Sequence, residues 1–272
     1  MQRAVVWGAI QLSSQGDVAA NLDRVAALVA EAVRRGASAV LLPENFAYMG
    51  DEEGKRALAE ELDPPAGPIG RRLAEMARSL RVTLVAGGLP ERSPDPDRPY
   101  NTNAVFAPDG RIAARYRKIH LFDVELSDGT RYCESASTMA GAEPVIAEVD
   151  GVRLGLSICY DLRFPELYRA LAAGGADAMV IPAAFTLLTG KDHWHVLLRA
   201  RAIESQAYVI AAAQWGKHPR GRATYGKSCI IDPWGEVIAQ ASEGEGVVTA
   251  TLDPAYLDRV RANLPSLQHR RL

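Results

Sequence analysis

Apolar, β-branched runs alternate along the chain with segments whose apolar residues recur every three to four positions. The runs Ala4 to Leu12, Ser38 to Glu44 and Val82 to Leu89 read as strands, and so do Val152 to Asp161, Ala178 to Phe185 and Ala207 to Trp215. Between them, Leu22, Val25, Ala26, Val29, Ala32 and Val33 line one face of a helix, and Ile69, Leu73, Met76, Ala77 and Leu80 line another. Pro165 in a first turn and Gly174 past an end frame a third helix; His193 to Gln206 makes a fourth. Two hairpins are announced by their turn residues. Pro108-Asp109-Gly110 lies within Val105 to Arg115, and Asp232-Pro233-Trp234-Gly235 lies within Ile230 to Ala239.

Each half of the chain therefore reads strand, helix, strand, helix, strand, hairpin. The repetition is one of pattern, with little letter-for-letter identity. Two mixed sheets, each with helices on one face, would pack sheet to sheet as an α/β sandwich of four αββα layers with an internal pseudo-twofold repeat. The paired hairpins favour this over one doubly wound sheet. A single domain covering residues 1–272 is expected, with Asp95 to Pro99 and Ser127 to Cys133 as surface excursions.

Composition narrows the classes of function. Of 272 residues, 48% are hydrophobic and 24% charged, which is ordinary globular composition with enough chain for a large core. Thirty-one lysines and arginines against 33 acidic residues give a net charge of −2, so neither nucleic acid nor an anionic membrane is an expected partner. No apolar run approaches membrane-spanning length, and the opening MQRAVVWGAI lacks a secretory pattern, so a cytoplasmic location is expected. Three cysteines, Cys133, Cys159 and Cys229, form no disulfide framework and no zinc pair. His193 and His195 are spaced to face opposite sides of a helix, so no metal is implied, and Gly87-Gly88 lacks the rest of a phosphate loop.

Three segments are candidates for chemistry. In Gly155-Leu-Ser-Ile-Cys159-Tyr160-Asp161-Leu-Arg163-Phe-Pro165-Glu166, a buried strand breaks at a cysteine just before a helix begins. Such a cysteine would be exposed at the sheet edge, where backbone N–H groups lower a thiol pKa and receive an oxyanion. A core cysteine ending an apolar strand fits the segment equally well. In Val40-Leu-Leu-Pro43-Glu44-Asn45, a strand ends in a carboxylate whose desolvation would raise its pKa toward that of a general base; a solvated strand-end glutamate is the plainer alternative. In Arg115-Tyr-Arg117-Lys118-Ile-His120-Leu-Phe122, an inward-pointing lysine would stabilise a tetrahedral oxyanion, whereas a solvated basic strand has the same pattern. The three lie far apart in the chain, so spacing alone does not bring them together.

Together, however, these segments resemble the carbon–nitrogen hydrolase (nitrilase) superfamily, over essentially the whole chain. The resemblance is carried by Leu-Pro-Glu44, by Tyr-Arg-Lys118-Ile-His-Leu-Phe-Asp, and by Cys159-Tyr-Asp-Leu-Arg-Phe-Pro-Glu-Leu, in the family's order. It implies an αββα fold, dimerisation or higher self-association, and a Glu44, Lys118 and Cys159 centre needing no metal, nucleotide or organic cofactor. A second glutamate of the family matches Glu134 in Cys133-Glu134-Ser135, implying that it positions Lys118 or the substrate.

Four further stretches resemble the branch of the superfamily that acts on small 2-oxo acid amides. They are Cys133-Glu-Ser135, Leu197 to Glu204 (LLRARAIE), Tyr208 to Gln214 (YVIAAAQ) and Leu267 to Arg271 (LQHRR). The substrate so implied is the amide between a 2-oxoglutarate moiety and Cys-Gly, with 2-oxoglutaramate as the alternative. Nitriles and N-carbamoyl compounds are further alternatives that would use the same three residues. An anionic 2-oxo acid suits an arginine fork, and Arg163 lies nearest Cys159 in sequence, although Glu166 or Asp161 would serve it equally as ion-pair partners. The resemblance places Tyr48, Phe185 and Thr189 around the pocket, and Tyr160 beside the nucleophile as a backbone donor. His193 and Trp194 fit capping and core packing better than the pocket. The chain stops at Leu272, shortly after His269-Arg270-Arg271, where members of this family usually run on. A scaffold that had kept the fold without activity should have lost one of the three residues; all are present.

Overall fold

The computed structural model describes residues 1, 3–62, 64, 66–125, 129 and 131–271. Leu272 and residues 127, 128 and 130 of the expected excursion from Ser127 to Cys133 lie outside the described residues. Two parallel series of elements make up the chain. The first runs β1 (Val5–Gln11), α1 (Val18–Arg34), β2 (Ala39–Leu42), α2 (Glu52–Ala57), α3 (Pro68–Leu80), β3 (Thr83–Glu91), β4 (Tyr100–Phe106) and β5 (Ile112–Arg117). A two-stranded ribbon, β6 (Asp123–Glu125) and β7 (Arg131–Cys133), follows. The second runs β8 (Ile146–Val149), β9 (Val152–Leu156), α4 (Pro165–Ala173), β10 (Ala178–Ala183), α5 (Leu187–Ser205) and β11 (Tyr208–Ala213). A ribbon of β12 (Trp215–Lys217) and β13 (Ala223–Tyr225) precedes the hairpin of β14 (Cys229–Ile231) and β15 (Val237–Gln240). The chain returns through β16 (Gly246–Leu252) and α6 (Pro254–Asn263).

The two six-stranded sheets have the same topology, β16-β1-β2-β3-β4-β5 and β8-β9-β10-β11-β14-β15. In each, the three middle strands of the crossover are parallel and the flanking pairs antiparallel. The repeat is deeper than pattern. Gly36-Ala37-Ser38-Ala39 before β2 and Gly175-Ala176-Asp177-Ala178 before β10 occupy equivalent places, and Pro43 corresponds to Pro182. Both glycines have positive φ, 91° and 84°, as the chain turns from helix to strand.

Alternation along the strands decides the layers. Trp7, Ala9, Ala39 and Leu41 point into a core shared with Leu154, Leu156, Val180 and Ala211 of the other sheet. Their neighbours Ile10, Val40 and Leu42 point the other way, against Leu22, Val25 and Val29 of α1 and Leu73 and Met76 of α3. On the far side, α4 and α5 cover the second sheet through Leu167, Leu171, Trp194 and Leu198. The result is an αββα sandwich. Pro165 opens α4 as the sequence reads, but α5 begins at Leu187, before His193. Asp95 to Pro99 lies in the turn between β3 and β4. Among the described residues, no helix is long and apolar enough to cross a membrane.

Candidate active site

Glu44, Lys118 and Cys159 arrive at one cavity from three elements. β2 ends at Leu42, Pro43 follows, and Glu44 projects from a turn completed by Asn45 in the left-handed region (φ 59°). Gly88 makes room for that turn. It has φ 81°, and a Cβ there would lie 2.6 Å from the Asn45 nitrogen and 3.0 Å from the Glu44 Cα. The Glu44 carbonyl accepts from Gln214 Nε2 at 3.0 Å, tying the turn to the end of β11.

Lys118 directly follows β5, with its backbone N–H donating to the Asn101 carbonyl at 2.9 Å. Its side chain is 2% exposed, and Nζ lies 3.1 Å from Glu44 Oε1 and 2.9 Å from Glu134 Oε2. Asn101, which the sequence reading missed, donates from Nδ2 to both carboxylates, at 3.0 Å to Glu44 and 3.2 Å to Glu134. Glu134 also accepts the Phe122 N–H at 2.7 Å. The Ala184 N–H donates to Glu44 Oε2 at 3.1 Å. Each carboxylate is thus held by several donors, with the ammonium between them.

Cys159 sits at the break between β9 and a 3-10 turn, with φ 48°. A non-glycine residue in that region is uncommon and marks a strained corner. Asp161, which is wholly buried, holds the corner. Its carboxylate accepts from the Ile158 N–H at 2.8 Å, the Tyr116 hydroxyl at 2.7 Å, the His120 N–H at 3.1 Å and His120 Nδ1 at 2.7 Å. The sequence offered Asp161 only as an ion-pair partner for Arg163. The sequence left an exposed sheet-edge cysteine and a core cysteine equally open; Cys159 is 9% exposed, packed with the core, and lines the cavity.

That burial reverses two expectations about charge. Burial pushes Glu44 up, but the Lys118 ammonium and a hydrogen bond from the Cys159 thiol outweigh it and hold the carboxyl at about 2. Burial and then the Glu44 charge push the Cys159 thiol well above its usual value, against the pull of Lys118. Lys118 is raised well above its ordinary range, because Glu134 and Glu44 overcome its desolvation. The resting site therefore holds a carboxylate, an ammonium and a neutral thiol. Its proton must leave during attack, since no thiolate stands ready.

The cavity has a volume of about 220 Å³. Tyr160, Arg163, Phe185 and Thr189 line it together with Glu44, Lys118, Glu134 and Cys159. Arg163 lies over the Phe185 ring at 5.2 Å and faces His193 Nδ1 at 3.2 Å. Among the described residues Arg163 forms no ion pair with Asp161 or Glu166, and it lines the cavity. Tyr48 does not line it. The chain reverses at Asn45, whose carbonyl accepts the Tyr48 N–H, and the Tyr48 hydroxyl ends 3.4 Å from Asp51 at the start of α2. The room it occupies is left open by Gly50 and Gly54. Trp194 is buried and donates from Nε1 to the Lys227 carbonyl. Lys55, Arg131 and Arg222 also reach the cavity, though nothing in their local sequence marks them. Among the described residues, no cluster of three or more potential metal ligands exists.

Comparison with known proteins agrees with the geometry. The carbon–nitrogen hydrolase family model matches residues 8–262. The deaminated glutathione amidase of Synechocystis sp. is 48% identical over 265 residues, which are 96% of this chain and 96% of that protein. The chloroplastic omega-amidase of Arabidopsis thaliana is 37% identical over 266 residues, 97% of this chain and 72% of that protein. Saccharomyces cerevisiae Nit3, a member of branch 10 of the nitrilase superfamily, has a crystal structure that matches with a TM-score of 0.89 at 32% identity, over 99% of this chain and 97% of that one. The chain belongs to the carbon–nitrogen hydrolase family and is a hydrolase of C–N bonds.

Proposed function

We propose that the protein is a single-domain amidase that cleaves a small 2-oxo acid amide through a thioester on Cys159. The observation that carries the reading is Lys118 Nζ, buried between the Glu44 and Glu134 carboxylates in the cavity that Cys159 floors. In the proposed reaction the amide carbonyl carbon sits over the Cys159 sulfur. Glu44 takes the thiol proton as the S–C bond forms, and the negative charge passes to the carbonyl oxygen. Lys118 and the Tyr160 N–H hold that oxyanion; such a donor contributes roughly 3–4 kcal/mol. Glu44 then gives its proton to the departing nitrogen as the C–N bond breaks. A water molecule, deprotonated by Glu44, attacks the thioester, releasing the acid and restoring the thiol. Glu134 and Asn101 keep Lys118 and Glu44 in register throughout.

The substrate we favour is deaminated glutathione, cleaved to 2-oxoglutarate and Cys-Gly. The 48% identity to an amidase of that name supports it, as do the cations around the cavity, which suit an anionic amide. The 37% identity to an omega-amidase supports 2-oxoglutaramate as the second reading. The test is kcat/KM for both amides on one preparation, with Cys159→Ala as control. A large preference for deaminated glutathione is expected. A preference for 2-oxoglutaramate would transfer the protein to the second reading, and turnover by Cys159→Ala would remove the thioester scheme. Two further expectations belong to the same reading. Leu187, Leu188, Val196 and Ile203 of α5 are each about half exposed or more, and a dimer that covers them is proposed. Three unpaired cysteines fit a reducing compartment, hence the cytoplasm.

A further inference from the structure

The β12–β13 ribbon is pinned beside the cavity by a buried histidine. His218 is 6% exposed; its Nδ1 donates to the Ser14 carbonyl at 2.9 Å and its Nε2 accepts from the Thr224 hydroxyl at 2.6 Å. The same ribbon is bonded to the site wall, where the Tyr225 N–H donates to the Phe185 carbonyl at 3.0 Å. Arg222, the residue before β13, accepts the His218 N–H on its carbonyl at 2.8 Å and is therefore anchored where it lines the cavity.

Arg222 has no ion-pair partner among the described residues. Its Nε is sealed from solvent and has no hydrogen-bond acceptor among the described residues. The guanidinium therefore brings an unpaired positive charge to the cavity wall, which an entering anion would pair. Lys55 also lines the cavity, and among the described residues its ammonium pairs with Glu52, a further lining residue, at 3.7 Å.

The leaving nitrogen must come within hydrogen-bond reach of Glu44, because it takes its proton from that carboxyl. The amine half of the substrate therefore extends past Glu44. Lys55 and Arg222 line the same cavity as Glu44, with Arg222 5.8 Å from the Tyr132 ring, and the strand after Arg222 bonds Phe185, next to the Ala184 N–H that holds Glu44 Oε2. Arg163 instead lies over Phe185 and Tyr160, on the nucleophile's own turn. We infer that Arg222, with Lys55 beside it, forms a second anion subsite that receives a carboxylate carried by the amine half of the substrate. This inference rests on the amidase reaction proposed above and deepens it. The preferred substrate carries negative charge on both sides of the scissile amide, with Arg163 taking the acyl-side carboxylate. Arg222 then separates a peptide-like amide such as deaminated glutathione from 2-oxoglutaramate, whose leaving group is ammonia and carries no carboxylate.

The test uses two substrates that differ at one group. One is the amide of 2-oxoglutarate with Cys-Gly; the other has the glycine carboxylate capped as a carboxamide. The wild-type protein should prefer the uncapped compound by about 10- to 100-fold in kcat/KM, expressed mainly in KM, as a charged hydrogen bond in a shielded site allows. Arg222→Met should bring that ratio close to one, and Arg222→Lys should restore part of it. Arg163→Met should weaken both substrates alike and leave the ratio standing. Because the readout is a ratio, any effect of Arg222 on Glu44 or on folding cancels. Equal turnover of the two compounds by the wild-type protein, or a preference that survives Arg222→Met, would overturn the subsite while leaving the amidase reading intact. Turnover of neither compound by wild-type protein whose Cys159 can still be alkylated would overturn the substrate reading and the subsite together.

Discussion

Replacing Asp161 with asparagine should separate the positioning of Cys159 from simple stability. The Asp161 carboxylate has two oxygens and four donors: the Ile158 N–H and Tyr116 hydroxyl on Oδ2, and the His120 N–H and Nδ1 on Oδ1. An asparagine offers one acceptor oxygen and one NH₂ group. If the oxygen takes the Oδ2 place, the His120 N–H faces the NH₂; if it takes the Oδ1 place, the Ile158 N–H does. The Tyr116 hydroxyl and the His120 ring can reverse their roles, but a backbone N–H cannot. One backbone donor is thus orphaned in either orientation, and the remaining bonds lose their charge assistance. The expected loss is about 2–4 kcal/mol. For a chain of this length, that lowers Tm by roughly 4–8 °C. The chemistry should suffer more. Ile158 precedes Cys159, whose left-handed backbone (φ 48°) is uncommon and strained, so the turn relaxes when its anchor is weakened. A shift of the sulfur by about 1 Å is enough for a roughly 100-fold fall in kcat/KM. The assay is kcat/KM measured 15 °C or so below the variant's own Tm, with a calorimetric scan beside it. A variant that loses the predicted stability but stays within about threefold of wild-type kcat/KM would show that the carboxylate only stabilises the fold, and the positioning argument would be wrong.

Glu134→Gln should lower kcat by about 10- to 100-fold with a smaller change in KM, because Lys118 loses one of its two carboxylate partners but keeps Glu44; an equal change confined to KM would instead put Glu134 in substrate binding. Glu44 is held at about 2 while Lys118 and Cys159 are raised, so all three keep their resting charges from about pH 5 to pH 8. The kcat/KM profile should be level over that window, and an acid limb centred near pH 5 would contradict the assignment. The same lowering means that the stability Glu44 contributes is fully present above its unfolded value of 4.5 and is lost as pH falls toward 2. In a Cys133→Ser background, alkylation of Cys159 should be slow at neutral pH and rise steadily through pH 9, whereas a plateau reached below pH 7 would reveal a thiolate at rest. Gly88→Ala forces a Cβ to 2.6 Å from the Asn45 nitrogen at φ 81°; it should cost about 2–4 kcal/mol by urea titration and displace Glu44, and an unchanged midpoint would refute that constraint.

Much of this architecture was legible in the chain, and the misses share physical causes. The six central strands stand out because they are buried on both faces and read as continuous apolar runs. The edge strand β8 spans only four residues with alternating burial, too short for a pattern to emerge. β16 acquires its role from β1, whose residues lie at the other end of the chain. α5 reads as starting at His193 because Gly190 weakens the helical pattern. That glycine is there for packing, since a Cβ would meet the Tyr225 side chain at 2.4 Å. Within the site, the residues in long motifs, Glu44, Lys118 and Cys159, could be read from sequence. Asn101 and Arg222 could not, because Asn101 sits in an ordinary strand, Arg222 sits in the turn before one, and each gains its meaning from neighbours brought in by the fold. The sign of the Glu44 shift was also out of reach. Sequence shows a desolvated carboxylate, whereas its ionisation is decided by an ammonium 3.1 Å away.

The central claim is a covalent intermediate on Cys159, and rapid-quench mass spectrometry of the protein during turnover tests it most directly. In acid-quenched samples, a species heavier by the acyl half of the substrate should accumulate and then decay. Digestion should place the added mass on the peptide containing Cys159, and Cys159→Ala should show neither the adduct nor product. Product release with no adduct on that peptide, or continued turnover by Cys159→Ala, would contradict the account.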